Sequence, residues 1–361
     1  MSENNQLENI NNILSEVSTP TETLPLLLRN LSQMCTKDTQ YTPLASGSIP
    51  ELRNLSEYLK YGVITLDKPA GPSSHEVVTW IKNILEADKT GHSGTLDPQV
   101  SGCLTVCLNR ATRLTKSQQS AGKEYVCVIE FHDKTKKHRL EEVVAKLTGT
   151  ILQRPPLISA VKRTLRLRTI YKIELIEFEK RQALFKVSCE AGTYIRTLCE
   201  HIGLLLGVGA HMKELRRIRS GNSHESECVT LHDLMDAMWE YRKTKNEKYI
   251  RRVIKPLETL LVEYPKIVIK DSCVNAICYG AQLTIPGILR YDSAINTGND
   301  VVIITTKGEA VALATALMAS SEIAIANHGI VAKTKRVIME IDCYPRSWKM
   351  GKDLNILTDD E

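Results

Sequence analysis

The stretch Gly91 to Pro98, reading GHSGTLDP, holds one carboxylate, Asp97, among glycines, a histidine, a serine and a threonine. An isolated Asp-Pro ordinarily marks a turn in which the side chain bonds its own backbone. Here the acid lies between a segment with helical periodicity and an apolar run. The chain later supplies Lys123-Glu124-Tyr125 and Tyr194-Ile195-Arg196. An acid, a tyrosine and an arginine can then meet in one pocket. The sequence offers no signature of a cofactor or metal site: it contains no P-loop, no dinucleotide fingerprint and no zinc-ligand spacing.

The elements that must position these groups are legible around them. Gly62 to Asp67 reads as a strand entering the turn Lys68-Pro69-Ala70-Gly71-Pro72, after which Ser73 and Glu76 have the spacing of a capping box. Val77, Val78, Ile81, Ile84 and Leu85 recur at helical spacing and give that helix one buried face. Glu124 to Phe131 is strand-like, Arg139 to Leu147 helical, and Tyr171 to Phe178 pairs naturally with Ala183 to Cys189. A helix with the apolar face Ile195, Leu198, Ile202, Leu205 and Leu206 follows. Strands and helices mix without strict alternation, which predicts an α+β fold on a mixed or antiparallel sheet.

At 361 residues the chain exceeds one typical domain. The expected organisation is an extension over 1–60, with a mobile start, a short helix through Leu24 to Met34 and the remainder packing on the C-terminal domain. A catalytic domain over 61–260, a small β-barrel over 261–349 and a tail over 350–361 complete it. Beyond Pro265 the short β-branched runs Lys266 to Lys270, Val301 to Thr306 and Gly329 to Ile341 carry the barrel prediction. Glu309 to Met318, despite its alanines, is read as a further strand among them.

Hydrophobic residues at 42% and charged residues at 25% exclude a mainly disordered chain. Ten cysteines without a CxxC pair read as reduced, mostly buried thiols, and with no secretory leader or long apolar run the protein is expected to be intracellular, soluble and free of membrane contact. The net charge of +5 is mild and conceals three basic clusters. These are Arg154 to Lys172, Lys213 to Arg219, and Arg242 to Lys255, and they predict surfaces that track phosphates.

The ordered motifs GHSGTLDP, KEYV, GTYIRTL and HMKELRRIRSG make the chain resemble the TruB family of pseudouridine synthases. It is most similar to the dyskerin-type branch, which works in box H/ACA ribonucleoproteins. Further stretches, YGVITLDKPAGPSSHEVVTWIK (61–82), RPPLISAVKRTLRLRTIY (154–171) and KDSCVNAICYGAQLTIPGILRYD (270–292), extend the resemblance over roughly residues 40 to 350, the last resembling a PUA domain. The resemblance implies a TruB-like catalytic domain, a PUA barrel, and isomerisation of uridine in RNA to pseudouridine.

It further implies that Asp97 is the catalytic carboxylate, that Tyr125 stacks on the flipped base, and that Arg196 pairs with the acid. Such an arginine would also hold the acid's orientation. His92 falls near the nucleotide or braces the loop; Lys68 and Leu215 fall where the family lines its pocket; Tyr194 is either a pocket or a packing residue. Gly280, Ala281 and Leu283 match the loop that grips guide RNA. The implied partners are a box H/ACA guide RNA, substrate RNA (ribosomal, with small nuclear RNA as a second class) and three small core proteins, and the implied location is the nucleus, in the nucleolus, although the acidic end LNILTDDE replaces the familiar lysine-rich tail. The competing expectations are a stand-alone transfer-RNA synthase and a non-catalytic RNA-binding scaffold.

Overall fold

The computed structural model describes residues 24–156 and 161–346. The expected mobile start and the tail over 350–361 therefore lie outside the described residues. The chain divides into two compact units, residues 62–255 and residues 24–61 together with 256–346.

In the first unit the central sheet runs in the order Gly62–Lys68, Ser101–Leu108, Ala210–Ser220, Lys123–Phe131, Gln182–Cys189, Arg166–Glu179, Gly149–Gln153. Ser101–Leu108 and Ala210–Ser220 pair in parallel; the other neighbours along this path are antiparallel. Burial alternates strictly along Gln182–Cys189, as a sheet with one covered face requires. Helices Lys137–Leu147 and Ile195–Leu206 cover that face through a core that includes Phe131, Leu140, Phe185, Leu198 and Ile202. Leu205, expected on the apolar face, is exposed; Cys199 takes the buried place, one turn after Ile195. The capping box of helix Ser74–Leu85 forms as expected between Ser73 and Glu76.

Gly102 opens the parallel pairing at a positive φ of 104°, and a Cβ there would stand 2.2 Å from the Arg217 carbonyl oxygen. Only glycine admits so close a backbone approach. It draws the end of the Asp97 loop against the strand that carries Leu215 and Arg217.

In the second unit, strands follow the order Cys35–Thr36, Ile288–Tyr291, Lys266–Ile269, Asp300–Ile304, Ala310–Ala316, Ile330–Val337, Leu283–Thr284. The alanine-rich run is thus a strand, buried on both faces, which is why it shows no alternation. The short helix expected through Leu24 to Met34 resolves into two 3₁₀ turns, Leu26–Leu28 and Leu31–Gln33. Pro25 sets the entry, and so short a run gains few α-helical bonds beyond its costly first turn. Residues 256–260, expected in the catalytic domain, join the second unit, where Leu257–Leu261 meets Leu26–Leu28.

Arg53 and Glu258 anchor this junction of early and late chain as a bidentate pair (2.8 and 3.1 Å), only 3% and 1% exposed. Removing one partner of a buried pair strands the other charge and costs about 3–5 kcal/mol. Arg53→Met should destabilise the unit by that order in denaturant unfolding, and Arg53→Met with Glu258→Met should recover most of the loss.

Candidate active site

The Asp97 loop is held from three sides. Ser74, in the first turn of its helix, accepts from the Leu96 N–H (2.9 Å) and donates to the Leu96 carbonyl (3.0 Å). The Val100 N–H closes a turn onto the Asp97 carbonyl, and the Gly71 N–H bonds the Pro98 carbonyl. Lys68, fully buried, donates to the carbonyls of Pro69 (2.7 Å), Pro98 (3.0 Å) and Val100 (2.9 Å). Burial holds its ammonium below the usual lysine range, with the Asp97 charge opposing.

The loop forms one wall of a cavity of about 460 Å³. Asp97, Tyr125, Tyr194, Arg196 and Leu215 all line it, so the structure brings these five predicted residues together. The Arg196 guanidinium pairs with the Asp97 carboxylate. Arg196 lies in the first turn of Ile195–Leu206, a helix that starts without a side-chain cap at the cavity wall, and its positive end favours an anion there. Tyr194, the residue before it, is fixed by Gln153, whose buried amide accepts from its N–H (2.9 Å) and donates to its carbonyl (3.1 Å).

Lys68, His92 and the PUA-loop residues stand elsewhere. Lys68 does not line the cavity; it clamps the loop from behind, because three inward-facing carbonyls there need a donor. His92 ends the short strand Thr90–His92, opposite Val106, with Nδ1 buried and without a hydrogen-bond partner. Burial and then Arg217 hold its imidazole below the ordinary value. Gly280 and Ala281 are exposed at the end of helix Asp271–Cys278, where Gly280 takes φ 93° as its N–H bonds the Ile277 carbonyl. Leu283 instead is a core residue, 1% exposed, because its strand turns that side chain inward.

Two cavity residues were read only as part of other motifs. Arg217, 1% exposed, is the strand partner of Tyr125 and donates to the carbonyls of Cys103 (2.7 Å) and Gly94 (3.2 Å). Lys123, 4% exposed, donates to the carbonyls of Ala121 (2.6 Å) and Gln118 (3.2 Å). Desolvation, then the Arg217 charge, pushes Lys123 down to about 8. Desolvation also raises the Tyr125 phenol, with Arg217 opposing. The cavity therefore has an ion pair at one wall and two buried cations at another. The signal for Arg217 was present: it follows Leu215 by two residues, the strand period.

The Lys123 shift has a testable sign. Its folded pKa lies below the unfolded value, so the penalty is complete below about pH 8 and is relieved as pH rises toward the unfolded pKa. Urea unfolding from pH 7 to 10 should show wild type gaining stability relative to Lys123→Met, with a slope of at most about 1.4 kcal/mol per pH unit. Parallel curves would contradict a desolvated ammonium.

The three basic clusters separate once side chains are placed. In Lys213 to Arg219, Lys213 pairs with Glu130, Arg216 with Asp67 and Glu225, and Arg219 with Glu124, while Arg217 is buried. This cluster is internal neutralisation rather than the expected phosphate-tracking surface. In Arg154 to Lys172, Arg168 pairs with Glu190 and Lys172 with Glu174.

A cavity that presents an acid–arginine pair beside a tyrosine on a mixed sheet, in a chain with a separate small β-domain, defines the pseudouridine synthase class. Residues 82–195 match the model for the TruB family pseudouridylate synthase N-terminal domain and 196–262 that for the tRNA pseudouridylate synthase B C-terminal domain. Residues 21–78 match the DKCLD domain and 265–338 the PUA domain. Over 92% of its length the chain is 58% identical to the H/ACA ribonucleoprotein complex subunit CBF5 of Saccharomyces cerevisiae, covering 70% of that protein. It is 57% identical to the subunit DKC1 of Danio rerio, covering 92% of this chain and 67% of that protein. Among solved structures it is similar to a chain of an H/ACA RNP bound to a substrate RNA containing 2′-deoxyuridine, with TM-score 0.81 and 44% identity over 87% of this chain and 97% of that one. It is also similar to a chain of a Cbf5-Nop10-Gar1 complex, with TM-score 0.80 and 46% identity over 91% and 99%. The chain belongs to the dyskerin-type pseudouridine synthases of the TruB family. Among the described residues no helix is long and apolar enough to cross a membrane.

Proposed function

We propose that this chain is the catalytic subunit of a box H/ACA ribonucleoprotein and converts guide-selected uridines to pseudouridine in ribosomal RNA, with small nuclear RNA as a second substrate class. The observation that carries this reading is the Asp97–Arg196 pair facing Tyr125 across one cavity. The target nucleotide leaves its stack and enters the cavity, where the Tyr125 ring replaces lost stacking. Asp97, oriented by Arg196, initiates cleavage of the C1′–N1 bond. The uracil stays enclosed, turns, and rejoins C1′ through C5; C5 gives up its proton and N1 takes one up, so substrate and product are isomers. Lys68 and Ser74 keep the carboxylate in place; Leu215 and Tyr194 bound the ring's position.

Family membership and the relatives' printed roles support a guide RNA and small core proteins as partners. The PUA unit, through the exposed Gly280 and Ala281, takes the guide's end, and the nucleolus is the site of action. Incubating uridine-labelled RNA with the assembled particle, with and without guide, followed by nucleoside analysis, tests this. Product only with guide is expected. Product on free transfer RNA, or RNA binding without product, would overturn it.

A further inference from the structure

The third basic cluster differs in kind from the other two. Helices Leu231–Thr244 and Lys248–Val253 form a hairpin tied by a hydrogen bond from the Tyr249 hydroxyl to Asp233 (3.2 Å). Over 231–253 the hairpin holds six cations, all from Arg242 onward, against four carboxylates, of which Asp233 also feels the Arg252 charge. Two of the cations are spent in ion pairs, Arg242 with Glu86 and Arg251 with Glu247. Three others are held in a different way. Lys243 lies over the Trp239 ring (4.3 Å), Lys245 over Tyr241 (5.2 Å) and Arg252 over Tyr249 (5.9 Å).

A ring face fixes a cation without neutralising it, whereas a carboxylate cancels it. Lys243, Lys245 and Arg252 are exposed, so their charge remains available to an outside anion at little ordering cost. Trp239 itself is 60% exposed. The hairpin is also placed with respect to the cavity. Arg242 donates to the Ile84 carbonyl (3.4 Å) and to Glu86 (2.7 Å) at the C-terminal end of helix Ser74–Leu85, whose N-terminal Ser74 holds Leu96 beside Asp97. Twelve helical residues span about 18 Å, which sets the separation between the hairpin's tie and the tie of the catalytic loop.

We propose that this helical hairpin is a second RNA-contact surface, at which Lys243, Lys245 and Arg252, held over aromatic faces, grip the sugar–phosphate backbone of the RNA whose target nucleotide occupies the cavity. The inference rests on the proposed RNA-modifying activity and adds a contact outside its active site. An extended polyanion is favoured over an acidic protein segment because three separate, singly held cations match a regular array of phosphates.

The test titrates the full chain with a fluorescent box H/ACA hairpin RNA carrying its substrate strand, across about 0.05 to 0.3 M salt. Three proteins are compared: wild type, the triple variant Lys243→Glu, Lys245→Glu, Arg252→Glu, and a control of equal charge change, Lys134→Glu, Lys136→Glu, Lys137→Glu. Each lost phosphate contact removes about 0.9 from the slope of log affinity against log salt. The hairpin variant should lose between two and three in slope and on the order of a hundredfold in affinity at 0.15 M, with the single-turnover rate at saturating RNA unchanged. A hairpin variant that matches the control in slope and affinity overturns the proposal. Absence of pseudouridine from the assembled wild-type particle would instead refute the assigned activity, so the two failures are distinct.

Discussion

Lys68→Met should lower turnover about a hundredfold while leaving RNA affinity within about twofold. The ammonium is enclosed and gives all three of its donors to backbone carbonyls on both sides of the loop, at Pro69, Pro98 and Val100. Methionine matches the length of the side chain but donates nothing. The Pro98 carbonyl would keep only the Gly71 N–H, and the enclosed carbonyls of Pro69 and Val100 would lose the ammonium, at a cost on the order of 3 kcal/mol. The loop can relieve that cost only by moving, and Asp97 moves with it. A displacement near 1 Å is enough for the stated loss, because the carboxylate must meet a reacting atom at bonding range. Since Lys68 acts through the loop and not on the RNA, kcat should fall with KM nearly unchanged. Hydrogen exchange at the Val100 N–H, bonded to the Asp97 carbonyl, should accelerate in parallel. Full activity in Lys68→Met would mean that the loop is held by its other two ties alone.

Lys68 also marks where sequence reading stops. The type of residue and its place after the first strand were legible, and the resemblance put it at the pocket. That it serves the loop from behind depends on where three carbonyls point, which no side-chain pattern encodes. For Leu283 the motif match was read from sequence, but the facing of its strand, which buries the side chain, was not. For Leu205 the helical period gave the stripe but not its edge, and Cys199, as small and buried as the core needed, was overlooked.

The groups proposed for the chemistry were the most legible, because their motifs are contiguous and each motif sits at the end of a recognisable element. Asp97 follows a capped helix, Tyr125 enters a strand, and Arg196 opens a helix. The cations were the least legible. Sequence proximity placed Lys213 to Arg219 and Arg242 to Lys255 in one category, whereas acids far away in sequence, Asp67, Glu124 and Glu130, neutralise the first and leave the second largely open. Charge clusters are three-dimensional objects, and only a fold shows which of them face outward unpaired.

If the Asp97 carboxylate breaks the glycosidic bond, as proposed, Asp97→Asn should all but abolish conversion. Asparagine keeps the shape and an acceptor for Arg196 but cannot carry the charge. The Asp97 side chain is 54% exposed, so folding and RNA affinity should remain close to wild type. The measurement is single-turnover conversion of one labelled uridine in the guide-loaded particle, read by nucleoside analysis. A loss of about 10⁴-fold or more is expected, at the upper end of what one acid–base group supplies. Conversion by Asp97→Asn at a rate near that of wild type would contradict it.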